Sequence, residues 1–256
     1  GISGPWPAEG PKLAWKITDA AVIGVGYGSP AVVGDRIYLV GADGPKKDAK
    51  ESATCLSAVD GKQIWKTPLD TTPGNFNDGW GGGPRSTPTV DGDHVYVLGS
   101  TGDLVCLATK DGKEVWKKNL VKDFGGKIPT WGYSESVLVD GPNVVVTPGA
   151  KSGVVALDKK TGATVWVSAD VKDGAGYSSL VPVEIGGVKQ YVTQTMEHGI
   201  GIAAKDGKLL WKVGEIGRKV AVIPTPVVHD GIVFFTSGYG AGCEAFKLEP
   251  DGDGTK

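Results

Sequence analysis

The chain is short of most residues that carry chemistry. It has three cysteines, three histidines and one methionine in 256 residues. Cys55, Cys106 and Cys243 are too few for a disulfide framework, and their spacing fits no zinc motif. His94 and His229 fall in turns between strands and read as surface residues. His198, in Met196-Glu197-His198-Gly199, is a weak general-base candidate with no nucleophile motif beside it. There is no Gly-x-Ser-x-Gly elbow and no P-loop. The Asp-Gly-Asp-Gly run at 251–254 lacks the spacing and terminal Glu of a calcium loop. No metal site is expected. Arginine is scarce, with Arg36, Arg85 and Arg218 the three among 27 basic residues. Twenty-nine acidic residues balance these to a net charge of -2, which argues against nucleic acid as a partner. No apolar run reaches the length of a membrane span, and no stretch keeps a helical period over ten residues. The chain opens at Gly1 with no signal peptide, so a processed form or a piece of a longer protein is expected.

What is present is glycine, 41 residues of it, and a phrase that repeats. DGKQIWKTPL begins at Asp60, DGKEVWKKNL at Asp111, TGATVWVSAD at Thr161 and DGKLLWKVGE at Asp206. Aligned on their tryptophans, Trp65, Trp116, Trp166 and Trp211 follow Trp15 at intervals of 50, 51, 50 and 45 residues. That period suits one four-stranded propeller blade. About 35 residues before each tryptophan, a small-residue or proline stretch leads into two alternating apolar runs around a Gly/Asp turn, a hairpin signal. PTPVVHDGIVFFTSG (224–238) begins a fifth unit that stops before its tryptophan strand. The expected fold is all-β, with antiparallel four-stranded blades, four complete repeats and a partial fifth, in a single domain spanning 1–256. Gly61, Gly112, Gly162 and Gly207 stand where a tight hairpin needs φ > 0, and the tryptophans Trp15, Trp65, Trp116, Trp166 and Trp211 are expected to pack against neighbouring blades. Ten residues before each repeat tryptophan stands Cys55, Cys106, Ala156 or Gly201, small enough to leave room for an indole. Two cysteines are thereby read as core spacers.

ALDKKTGATVW (156–166) resembles the tryptophan-docking repeat of the pyrroloquinoline quinone (PQQ)-like propellers, with Ala, Asp two later, Thr-Gly and Trp as the eleventh residue. The other copies keep the Gly and Trp but hold Ser57, Ala108 and Ala203 at the Asp position. The resemblance spans about 12–250. The wording around GPRSTPTVDGDHVYVLGSTGDLVCL is also similar to exported PQQ-like repeat proteins of planctomycete-type bacteria. This superfamily implies propellers of seven or eight blades, so the chain is expected to be part of a larger ring. The alternative is a closed five-bladed ring in which PKLAWKI (11–17) supplies the missing outer strand. Two functional classes follow from the resemblance. One is BamB-like binding scaffolds, and the other is quinoprotein alcohol or sugar dehydrogenases, which hold PQQ with calcium. The second class often carries an adjacent Cys-Cys pair, and this chain has none. The preferred expectation is a non-catalytic, exported, periplasmic or cell-surface propeller, without cofactor, that binds a protein or an extended ligand.

A site on such a disc would form where the loops leading into the innermost strands converge. Aligning these on Pro30, Pro88, Val137, Leu180 and Pro226 puts Tyr27, Arg85, Ser134, Tyr177 and Ile223 at one level. Trp131, Tyr133 and Glu135 flank the third, and Trp80 lies in the Gly-rich loop before the second. Arg85 has a planar fork suited to a carboxylate or phosphate, with Glu135 as its expected internal partner. Arg85, Glu135, Trp131, Tyr133, Tyr177, Tyr27 and Trp80 are therefore the candidate ligand- or partner-binding residues, and no residue is assigned a catalytic role.

Overall fold

The computed structural model describes residues 4, 7–69, 74–214, 221–251 and 254–255. Arg218, Gly252 and Asp253 lie outside them. Four four-stranded antiparallel sheets follow in chain order. The first holds β1 (Ala31–Val33), β2 (Arg36–Ala42), β3 (Glu51–Ser57) and β4 (Gln63–Pro68). The second holds β5 (Thr89–Asp91), β6 (His94–Leu98), β7 (Asp103–Ala108) and β8 (Glu114–Asn119). The third holds β9 (Leu138–Asp140), β10 (Asn143–Val146), β11 (Val154–Asp158) and β12 (Thr164–Ser168). The fourth holds β13 (Val181–Ile185), β14 (Val188–Gln194), β15 (Gly199–Ala203) and β16 (Leu209–Val213). A three-stranded sheet, β17 (Val227–His229), β18 (Ile232–Ser237) and β19 (Gly242–Lys247), is the fifth. The fold is a β-propeller whose strands pair in sequence order within each blade.

The four repeated phrases are the hairpins between the third and fourth strands. Gly61, Gly112, Gly162 and Gly207 have φ of 72°, 72°, 70° and 76°. In each hairpin the pairing slips by one residue, between Cys55 and Leu56, Cys106 and Leu107, Ala156 and Leu157, and Gly201 and Ile202. This bulge accommodates an extra residue, and it sets each tryptophan directly across from its small partner. The pairs are Cys55 with Trp65, Cys106 with Trp116, Ala156 with Trp166 and Gly201 with Trp211.

Each indole then reaches the next blade's turn. A Cβ on Gly61 would lie 2.7 Å from the Trp15 ring, one on Gly112 2.6 Å from Trp65, and one on Gly162 2.8 Å from Trp116. The indole N–H groups donate to the carbonyl three residues before that glycine. Trp15 reaches Ala58 at 2.9 Å, Trp65 reaches Thr109 at 2.9 Å, Trp116 reaches Lys159 at 3.0 Å and Trp166 reaches Ala204 at 3.1 Å. Trp211 departs from this pattern. Its N–H donates to Gln190 of its own blade at 2.7 Å, and its ring lies against Phe235 of the fifth sheet. The apolar cores accordingly sit between blades. One joins Tyr96, Leu104 and Trp116 to Val144, Val155 and Leu157, and another joins Val145 and Trp166 to Tyr191 and Ile200.

Among the described residues no closed ring forms. The expected alternative, in which 11–17 completes the fifth sheet, is not adopted. Trp15 docks on the first blade, while β19 ends its sheet and is largely exposed.

Gly92 and Gly112 isolate the docking contact from the turn itself. Both have positive φ, 56° and 72°, but a Cβ on Gly92 meets nothing within 4 Å. Gly92→Ala is expected to cost about 1 kcal/mol, the left-handed backbone penalty. Gly112→Ala should cost a further ~1–3 kcal/mol, because the methyl drives Trp65 off the turn. Urea denaturation of the two variants checks this, and equal losses would show that the indole contact contributes nothing.

Candidate functional site

The loops leading into the innermost strands are tied to one another around the axis. The Thr87 N–H donates to the Ser136 hydroxyl at 3.1 Å, Ser136 N–H to Ser179 at 2.9 Å, and Ser179 N–H to Thr225 at 3.4 Å. Backbone bonds add to this, with Tyr27 N–H to the Pro84 carbonyl at 2.9 Å and Tyr177 N–H to Val222 at 2.8 Å. These hydroxyls stand one residue before the alignment positions Pro88, Val137, Leu180 and Pro226. The sequence reading passed over them, although their recurrence was visible there.

Beside this arc of loops opens a cavity of about 540 Å³. All five residues expected at one level line it: Tyr27, Arg85, Ser134, Tyr177 and Ile223. Trp80 and Trp131 join them, together with Ala221 and Tyr239. Tyr239 was not anticipated. It lies at the turn between β18 and β19, with φ of 59°, rather than in a lead-in loop. Tyr133 and Glu135 are not in the lining. Both are buried, and they flank Ser134 in extended backbone, so they face away from the mouth that Ser134 faces. The Tyr133 hydroxyl donates to the Pro148 carbonyl at 2.9 Å, and burial pushes its pKa up.

Arg85 does not pair with Glu135. Its guanidinium donates to the carbonyls of Gly81 at 2.9 Å and Gly83 at 3.1 Å, and its Cζ lies 5.0 Å from the centroid of the Tyr27 ring. Burial pulls its pKa down, and the nearby Tyr27, Tyr177 and Glu51 oppose that. It stays charged, as guanidinium does in proteins. The loop that holds it depends on glycine. At Gly81, φ 98°, a Cβ would collide with the Tyr27 hydroxyl, which itself donates to the Trp80 carbonyl at 3.0 Å. Across the mouth the Trp131 and Tyr177 rings pack at 5.8 Å and 49°. Trp80 and Tyr239 are 80% and 66% exposed, so much of the aromatic surface faces solvent.

Among the described residues no carboxylate, imidazole or thiol belongs to this lining. The nearby acids are turned inward. Glu51 is buried and accepts the Ser100 N–H at 3.1 Å. Glu135 accepts the Thr147 N–H at 2.5 Å while its second oxygen has no partner. Its environment raises the Glu135 pKa to about 7, first by burial. Elsewhere His198 lies 2.8 Å from Asp173, but the Thr195 hydroxyl donates to that same carboxylate and is no nucleophile for the imidazole. Cys55 and Cys106 are buried, unbridged spacers. Among the described residues no group of His, Cys, Asp or Glu is placed to hold a metal ion, and no helix is long and apolar enough to cross a membrane.

The family model described as outer membrane protein assembly factor BamB matches residues 49–249. The chain belongs to the BamB family. It is 24% identical over 241 residues to BamB of Yersinia pestis, covering 88% of this chain and 55% of the relative. It is 26% identical over 254 residues to the tetrathionate hydrolase of Acidithiobacillus ferrooxidans, covering 89% and 44%. The chain thus spans about half the length of these relatives. The crystal structure of BamB from Moraxella catarrhalis superposes with a TM-score of 0.56 at 19% identity, covering 86% of this chain and 58% of that one. The quinohemoprotein alcohol dehydrogenase of Comamonas testosteroni gives 0.55 at 16% identity, covering 72% and 34%. At these identities the superpositions show a shared fold.

Glu135 makes stability depend on pH. Its folded pKa of about 7 lies above its ordinary 4.5, so the folded state binds the proton more tightly. Its favourable contribution is complete below the ordinary value and is lost as pH rises through 7, a change of roughly 3 kcal/mol. Glu135→Gln should therefore be more stable than the parent at pH 8 and similar at pH 4.5. Urea midpoints at the two pH values check this, and a constant difference between variant and parent would refute it.

Proposed function

We propose that this BamB-family propeller is an exported, non-catalytic binding module whose working surface is the aromatic channel mouth. One observation carries the reading. Residues from five successive units converge on a single opening that holds five aromatic side chains and one guanidinium, with no carboxylate, imidazole or thiol among the described residues. Proton transfer at neutral pH needs a group with a suitable pKa in reach of the substrate. Recognition needs an apolar frame with a few fixed polar groups, in a cavity of ~300–1,000 Å³. The mouth fits the second description. The relatives named for outer-membrane protein assembly support an exported location and a role in holding another molecule.

The second reading, a quinoprotein dehydrogenase, draws on the superposition with dehydrogenase propellers. Such a centre needs oxygen ligands for its metal ion, and carboxylates are the usual hard-cation donors. Among the described residues the mouth supplies no carboxylate, and Glu51 and Glu135 accept backbone N–H groups. The residues present do not fit a metal-bound quinone.

Titrating the chain with PQQ and Ca²⁺ tests this directly, after circular dichroism establishes that the sample is folded. Tryptophan fluorescence reads binding, and dye reduction with simple alcohols and sugars reads turnover. The expected result is no turnover. Saturable quenching accompanied by dye reduction would refute the non-catalytic reading.

A further inference from the structure

The lining of the mouth also restricts the chemistry of its ligand. Among the described residues of the lining, Arg85 alone carries a formal charge. Two of its N–H groups are spent on Gly81 and Gly83, which fixes the plane of the fork and leaves further donors to face the opening. Charge complementarity calls for an anion, and a planar guanidinium fixed in this way suits a carboxylate. Around it stand five aromatic side chains beside the smaller aliphatic surface of Ala221 and Ile223, with Trp80 and Tyr239 open to solvent. Such rings are apolar on the face and polar at the tip, and they bury well against ligands that are themselves apolar on one face and hydroxylated at the rim.

A peptide strand is less well served. Strand addition needs unpaired backbone donors and acceptors along an edge. Here the N–H groups of Thr87, Ser136, Ser179, Tyr27 and Tyr177 are already satisfied within the arc of lead-in loops. What the mouth offers is side-chain surface, not backbone pairing.

We infer that the channel mouth binds an acidic oligosaccharide, with Arg85 taking a uronate carboxylate and the exposed rings of Trp80 and Tyr239 stacking on the apolar faces of adjacent pyranose rings. This rests on the mouth being a binding surface, as proposed above. The ligand class follows from one fixed cation, a largely aromatic frame, and lead-in N–H groups that are already paired.

The test is isothermal titration of the folded chain with trigalacturonate, with maltotriose as the uncharged trimer and with acetyl-Phe-Asp-Phe-amide as an acidic peptide. Saturable binding of trigalacturonate is expected, with maltotriose weaker by about tenfold or more, the loss of one charged, bidentate contact. Arg85→Gln should abolish that preference. Trp80→Ala should weaken binding about fivefold or more while leaving the melting temperature unchanged, because Trp80 is 80% exposed. It therefore reports on the site even if Arg85→Gln disturbs the Gly81–Gly83 loop. Equal affinity for the two trimers, indifference to Trp80→Ala, or no saturation with trigalacturonate overturns the inference. If the peptide alone binds, and does so through Arg85, the glycan inference falls and the binding surface stands. If neither binds and the quinone titration gives turnover, both fall.

Discussion

The structure depends on an indole resting on a glycine. In four places a tryptophan covers the turn of the next blade, three of them on outer strands and Trp15 in the segment before the first blade, and a single contact meets three requirements. The turn needs positive φ, which favours glycine. The indole needs a flat floor, and glycine lacks the Cβ that would lift it. The buried indole N–H needs an acceptor, and the carbonyl three residues before the glycine provides one. Substituting either partner disturbs all three at once. Because a blade cannot bury its faces alone, this contact also sets how far each blade is rotated from its neighbour. The channel and the lead-in loops take their positions from that rotation.

The mouth is thus a consequence of packing elsewhere. The lead-in loops contribute Tyr133, Val137 and Leu180 to the cores between blades and are also held by hydrogen bonds passed from blade to blade through Ser136, Ser179 and Thr225. That leaves the side chains two positions earlier free to project into the opening. Arg85 is the clearest case. The loop beneath it runs through three successive glycines, and Gly82 donates to the Pro45 carbonyl of the first blade at 2.6 Å. Backbone that approaches so closely can present its carbonyls to the guanidinium, and the charge is fixed by neutral acceptors rather than by a counter-ion.

The repeat made the fold and much of the mouth readable in the sequence. The period of the tryptophans gave the blades, and the small residues ten positions earlier gave the register. Aligning the lead-in loops brought Tyr27, Arg85, Ser134, Tyr177 and Ile223 to one level, where the structure also brings them together. The misreadings have physical causes. Tyr133 and Glu135 were grouped with Ser134 by proximity, yet alternation along extended backbone sends neighbours to opposite sides, so both are buried. The expected Arg85–Glu135 pair failed for the same reason, since Glu135 faces the Thr147 amide. Tyr239 was missed because it reaches the mouth from a turn whose geometry is not written in strand periodicity. Trp211 packs against the neighbouring blade as expected, on Phe235, but its N–H departs from the pattern and donates to Gln190 of its own blade.

The placement of the acids decides the character of the site. Glu51 opens β3 and Glu135 lies in the third lead-in loop, and each carboxylate is turned into the protein to accept a backbone N–H. Burial there raises both pKa values. Glu51 still acts on Arg85 through space and opposes the effect of burial on the guanidinium. The hydrogen-bond acceptors at the fork are nevertheless the neutral carbonyls of Gly81 and Gly83, not a carboxylate. Under the proposed binding reading, a cation held in this way would favour an anion by charge, and the rings around it would select by shape.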